Sequence, residues 1–187
     1  MSNCDLTFPR LRTAKNPHER EANYAQAYNA PFIVVGPQSP LSWLKAVEEM
    51  AYYFKRELKF EFPTFTAGER FKPELQRDRV LVFYRTEILD HKPTLQNPKD
   101  FTNAYTFFGA IGVRWKKSEN APASWSLPWV WFHPYERRQG HLTKAWPFLL
   151  KMFPNPYIEP PVSPAMSAFL KNAGYTNRSA YIAEVSP

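Results

Sequence analysis

"HPYERRQGHLTKAW", residues 133–146, joins an aromatic, strand-like run to an apolar, helical one. A helix that begins directly after a strand presents backbone N–H groups with no partner and the positive end of its dipole. Gly140 lets the backbone turn tightly and puts no side chain in the path of an approaching anion. Arg137 and Arg138 add fixed positive charge, and guanidinium forks suit phosphate oxygens. The stretch therefore reads as a phosphate cradle at a helix N-terminus. It is neither a Walker loop nor a dinucleotide fingerprint, because neither glycine spacing is present. The plain alternative is an ordinary helix start with two surface arginines.

Working outward, "WSLPWVWFH" (125–133) predicts the strand that feeds the turn. Alternation puts Trp129 and Trp131 on one face and Val130 and Phe132 on the other, so both faces are apolar and burial under helices is the economical reading. A base-stacking platform is the alternative. Pro128 cannot donate to a ladder, which predicts a bulge or an edge at that point. "PFIVV" (31–35), "RVLVFYR" (79–85) and "YTFFGAIGVRW" (105–115) read as further strands, with a short edge strand at "KFEFPTF" (59–65). "SPLSWLKAVEEMAYYFKREL" (39–58) is the clearest helix, with Ser39 as N-cap, Pro40 at its first position and a stripe of Leu44, Val47, Ala51, Phe54 and Leu58. Ser42 and Lys45 match S-x-x-K, but no S-D-N or K-T-G companion follows, so the match is taken as accidental. Residues 86–104 read as a loop or lid and 116–124 as a turn. After the cradle come a helix (141–153) that Pro147 should kink or delay, a strand (157–159), a helix (163–172) and a last strand (179–185). Strands outnumber helices and alternate with them. The expected class is mixed α/β, a mostly antiparallel central sheet flanked by helices.

The chain of 187 residues suits a single domain, 1–187, with a polar arm over 1–30. Its 19 prolines argue against a long helical bundle. No apolar run approaches the roughly 20 residues of a membrane span, and the first 30 residues lack the apolar core of a secretory signal. One cysteine, Cys4, rules out an internal disulfide and a Cys-rich zinc site. The four histidines, 18, 91, 133 and 141, have no H-x-x-x-H spacing, so no metal is expected. A cytoplasmic protein without a membrane partner is the expectation. A formal charge of +7 draws the protein toward anions, whether nucleic acid, an acidic protein surface or a phosphorylated cofactor.

Arg137-Arg138-Gln139-Gly140-His141-Leu142 resembles the [QR]-x-x-G-x-[GA] segment of the GNAT superfamily of acyl-CoA-dependent N-acyltransferases. "VWFHP" (130–134) resembles that family's fourth strand and its exit loop. "YIEPPVSPAMSAFLKNAGY" (157–175) resembles its fifth strand and following helix, with Phe169, Gly174 and Tyr175 at matching positions. The match covers about 105–185. The resemblance implies a GNAT-like fold that binds acetyl-CoA, with Arg137, Arg138, Gln139, Gly140, His141, Leu142 and Thr143 around the pyrophosphate. It also implies a splayed fourth strand whose Trp131 or Phe132 N–H meets the thioester carbonyl. The implied activity is transfer of an acetyl or short acyl group to an amine of a protein, a small molecule or a nucleic-acid-linked acceptor. A catalytically weak acyl-CoA- or nucleic-acid-binding regulator on the same fold is the alternative.

The sequence departs from the family at two positions. Leu142 replaces a small residue and would narrow the cradle, and Leu170 stands where many members carry the tyrosine that protonates the leaving thiolate. Ser167, three residues earlier and expected on the same helix face, is the candidate replacement donor. Candidate bases are His133, whose imidazole type titrates near neutrality, Glu159 and Glu87. For His133 the competing role is a loop histidine fixing the turn before Pro134.

Overall fold

The computed structural model describes residues 10–12, 31–69, 72–88, 103–117 and 122–176. They form one mixed sheet of six strands with three helices. The strands are β1 (Arg10–Arg12), β2 (Ile33–Val35), β3 (Arg79–Ile88), β4 (Asn103–Lys116), β5 (Ser124–Phe132) and β6 (Tyr157–Ile158); the helices are α1 (Leu41–Leu58), α2 (His141–Met152) and α3 (Pro164–Asn172). The order is β2-β3-β4-β5-β6, and every pairing is antiparallel except β5 with β6. The expected class therefore holds at the level of a mixed α/β, mostly antiparallel sheet with flanking helices. None of the described helices is long and apolar enough to cross a membrane.

The two sheet faces carry separate cores. Trp129 and Trp131 pack with α1, through Trp43, Leu44, Val47, Met50, Ala51 and Phe54. Phe132 and Val130 face the other side, where Leu81, Phe83, Ile111 and Leu127 meet Trp146 and Leu149 of α2 and Leu170 of α3. Both tryptophans are 3% exposed, so the alternation built core and not a stacking platform. Two glycines of β4 make the aromatic pairing fit. Gly109 lies opposite Phe132 and Gly112 opposite Trp129, and a Cβ at either position would fall inside the partner's ring.

Pro128 marks an irregularity, as its missing N–H requires. The β4–β5 register shifts between Gly112↔Trp129 and Arg114↔Ser126, so Leu127 and Pro128 together face Val113 alone. A second bulge, with no signal in the sequence, lies at Phe108: Phe83 pairs with Gly109, whereas Tyr84 pairs with Phe107.

Several expectations are corrected. Ser39 does not cap α1; its Oγ accepts the Gly36 N–H at 3.0 Å, closing the preceding turn, and Pro40 takes the cap position. Leu58 is 40% exposed and ends outside the apolar stripe. Residues 59–65 form no strand. The lid expected over 86–104 is shortened at both ends, because β3 runs to Ile88 and β4 starts at Asn103. Pro147 neither ends nor delays α2. A mid-helix proline costs about 3 kcal/mol, but Ala145, Trp146 and Leu149 are buried beside it, and each large apolar side chain returns roughly 1.5–3 kcal/mol. Within the polar arm, Arg10–Arg12 is strand; the rest of 1–30 and the last strand at 179–185 lie outside the described residues.

Candidate functional site

The turn after β5 is assembled in short steps. The His133 N–H donates to the Phe108 carbonyl at 2.8 Å, one step beyond the Gly109↔Phe132 pair. A single turn of 3₁₀ helix, Pro134–Glu136, follows, with His133 Nδ1 accepting the Tyr135 N–H at 3.3 Å. His133 is 2% exposed, and the turn-fixing role is the one its contacts display. Arg138 (φ 61°) and Gly140 (φ 76°) then both adopt the left-handed conformation, which throws the chain into α2. For glycine this costs nothing in sterics; for arginine it does.

The result is an open, uncapped helix start. The first helical bond is Lys144 N–H to Gly140 O at 3.0 Å, so the N–H groups of His141, Leu142 and Thr143 precede the ladder. No side chain caps them, and the first turn of α2 contains no acid. A Cβ at Gly140 would meet nothing within 4 Å. Arg138, Gln139 and Thr143 are exposed around the mouth. Leu142 packs against the α2-side core, so it does not narrow the approach.

Arg137 is corrected. Its guanidinium forms a two-pronged ion pair with Glu57 at the end of α1, at 2.6 and 2.5 Å, and its Nε donates to the Phe132 carbonyl at 2.9 Å. Glu57 also accepts the Trp131 indole N–H at 3.2 Å. Arg137 thus ties α1 to the turn, and its fork is already filled. Glu136 escaped the sequence reading altogether. It is 5% exposed and accepts Arg85 Nη2 at 2.8 Å, with His141 Nε2 at 3.1 Å. The His141 ring stacks on Phe132 (centroids 5.9 Å apart) and lies 4.8 Å from Phe108. His141 therefore offers its backbone to the cradle while its ring is built into the wall. Arg138 and, one turn on, Lys144 are exposed cations with no ion pair among the described residues.

Beside the turn the sheet opens. β5 and β6 pair only at Ser126↔Tyr157 and Leu127↔Ile158, with a last bond from the Glu159 N–H to the Leu127 carbonyl at 3.1 Å. From Pro128 to Phe132, Trp131 included, the outer edge of β5 has no strand partner among the described residues. Glu159 stands at this divergence, its buried Oε1 2.9 Å from Lys116 Nζ without hydrogen-bond geometry. Ser163 caps α3 as expected, accepting the Met166 N–H at 3.2 Å. Ser167 is exposed while Leu170 is buried in the core, so the expected shared face is corrected: a three-residue step leaves the serine about 60° around the helix, toward solvent. Glu87 lies in β3, in register with Ala104; its side chain is outside the described residues.

No family model matches the chain, and no curated protein matches it. Among the described residues no group of three or more His, Cys, Asp or Glu side chains is arranged to hold a metal ion.

A cavity of about 1050 Å3 opens elsewhere, beside the start of α1 and the end of β4. In its wall, burial pushes the Asp78 carboxyl up, more than neighbouring Arg114 and Arg79 bring it down. A carboxyl raised on folding favours the folded state only when protonated. That contribution is complete below the usual aspartate value of about 3.9 and disappears as pH rises through the raised one. Denaturation at a series of pH values should show wild type losing stability relative to Asp78→Asn as pH climbs from about 4. A difference that stays constant with pH would contradict this balance.

Proposed function

We propose that this chain is a GNAT-like N-acyltransferase, taking an acetyl or short acyl group from acyl-CoA to an amine. The observation that carries the reading is the uncapped, open start of α2, set immediately beside a parallel strand pair that separates at Pro128. A pyrophosphate suits the first feature: three N–H groups, a helix dipole and the free cation Arg138. A narrow amide-bearing arm suits the second, since the unpaired edge of β5 offers backbone donors and acceptors to it. Strand–turn–helix–parallel strand–helix is the order the resemblance implies.

In the reaction the amine nitrogen attacks the thioester carbonyl, the C–N bond forms, the C–S bond breaks and the CoA thiolate departs. Trp131 or Phe132 N–H would stabilise the developing oxyanion. The amine's proton goes to a base. Glu159, at the divergence of β5 and β6, is the best placed of the candidates, with Glu87 and His133 behind it. Thiolate departure relies on water, because Leu170 is core and Ser167 faces solvent. That same burial of Leu170 favours a second reading, an acyl-CoA-binding regulator with little turnover.

Acetyl-CoA turnover, followed as released thiol over a panel of amines, tests both. The expected result is turnover with at least one amine, and a loss of about 10²–10⁴-fold in Glu159→Gln at unchanged CoA affinity. CoA binding without turnover on any amine favours the regulator; no CoA binding removes both.

A further inference from the structure

The cavity beside the start of α1 carries a one-sided charge. Five cations, Lys72, Arg77, Arg114, Lys116 and Lys117, line it against two acids, Glu69 and Asp78, an excess of three positive charges. Both acids are already answered by cations of the same wall. Lys72 Nζ meets Glu69 Oε1 at 2.6 Å; Arg114 Nε donates to Asp78 Oδ2 at 3.2 Å and its Nη2 to the Thr64 carbonyl at 3.2 Å. Lys116 pairs with Glu159 and so joins the cavity to the point where β5 and β6 diverge. Arg77 and Lys117 are exposed and carry no ion pair among the described residues. The Arg77 guanidinium lies 5.4 Å over the Trp115 ring, a cation–π contact that holds it beside the aromatic wall. Trp115 and Phe65, both half-buried, form that wall. A cleft of one sign with apolar walls concentrates anions, and partly exposed rings beside fixed cations match a nucleobase and its phosphate.

We propose that this cavity binds single-stranded nucleic acid, whether or not the α2 cradle holds an acyl-CoA. Phosphates meet Arg77 and Lys117, the two cations not engaged by protein carboxylates, and bases stack on Trp115 and Phe65. A double helix keeps its base faces stacked on one another and offers nothing to these rings. The volume of about 1050 Å3 slightly exceeds the roughly 300–1,000 Å3 of small-molecule pockets, leaving room for a short stretch of strand. An acidic peptide would satisfy the cations but leave the rings without a partner, so the aromatic wall favours the nucleic acid.

Fluorescence anisotropy on the full chain tests this, with an end-labelled oligouridylate as probe and a duplex of the same length and poly-glutamate as competitors. The single strand should bind at low salt, with a log–log salt slope of about −1.4 or steeper, roughly −0.7 for each of two phosphates. Arg77→Gln and Lys117→Gln should each make that slope shallower by about 0.7. Lys171→Gln, which removes an exposed cation of α3 outside the cavity wall, should leave it unchanged. Trp115→Leu should weaken binding about tenfold, and Trp115→Phe, which keeps a ring, much less; circular dichroism on each variant separates lost binding from lost fold. No binding of the single strand at low salt would overturn the proposal, as would equal affinity for the duplex. Poly-glutamate competing as effectively as unlabelled strand, or a slope unmoved by Arg77→Gln and Lys117→Gln, would overturn it too.

Discussion

Gly112→Ala should lower stability by about 3 kcal/mol or more, a large part of the roughly 5–15 kcal/mol that holds a domain of this kind together. The added methyl would land inside the indole of Trp129, its direct cross-strand partner. Trp129 has little room to retreat, being 3% exposed and 5.9 Å from the ring of Phe54. The backbone cannot yield easily either, because β4 is paired on both edges at this point. Urea denaturation should show the loss as a shifted midpoint, partly restored when Trp129→Leu is added to make space. Gly68→Ala is the matching control: its Cβ would meet nothing within 4 Å. A wild-type midpoint for Gly112→Ala would mean that Trp129 does not cross β4 as described.

Gly140→Asp should reduce affinity for CoA by about 100-fold or more while the protein stays folded. Two effects act together. The residue's φ of 76° disfavours any Cβ, at about 1–2 kcal/mol, but with nothing nearby to clash the fold survives. More important, an aspartate at the N-cap presents its own carboxylate to the N–H groups of α2, filling the anion site and repelling a pyrophosphate. Gly140→Ala isolates the strain and should have the smaller effect on CoA. Unchanged CoA affinity in Gly140→Asp would remove the cradle from the proposed function.

Local chemistry made much of this molecule legible. β-branched and aromatic runs identified β3, β4 and β5; the missing N–H of Pro128 located the bulge; strict alternation assigned Trp129 and Trp131 to one core. What could not be read was long-range pairing. Glu57 and Arg137 are 80 positions apart, and nothing periodic links them, so a phosphate ligand and a structural strap look alike in "ERRQG". Glu136 looks like a surface acid beside two arginines, and only the fold puts Arg85 and His141 around it. Thr64 and Asp78 sit in segments without pattern, where burial has no sequence signature. The candidate site divided along the same line. Backbone features, the glycine turn and the uncapped helix, were read correctly because they depend on neighbours in sequence, whereas the side-chain roles of Arg137 and Ser167 depended on residues far away.

β1 has a consequence for handling the protein. Arg10–Arg12 pairs with Ala104–Thr106 on the same edge of β4 that β5 occupies farther along, from Gly109 to Lys116. Three residues from the beginning of the chain thereby cover the part of that edge β5 does not reach. A version shortened past Arg12 exposes a row of unsatisfied N–H and C=O groups on the central strand of the sheet, a ready template for strand addition between molecules. Trimming the polar arm, an ordinary step toward a better-behaved sample, would here trade a tail for an aggregation seed.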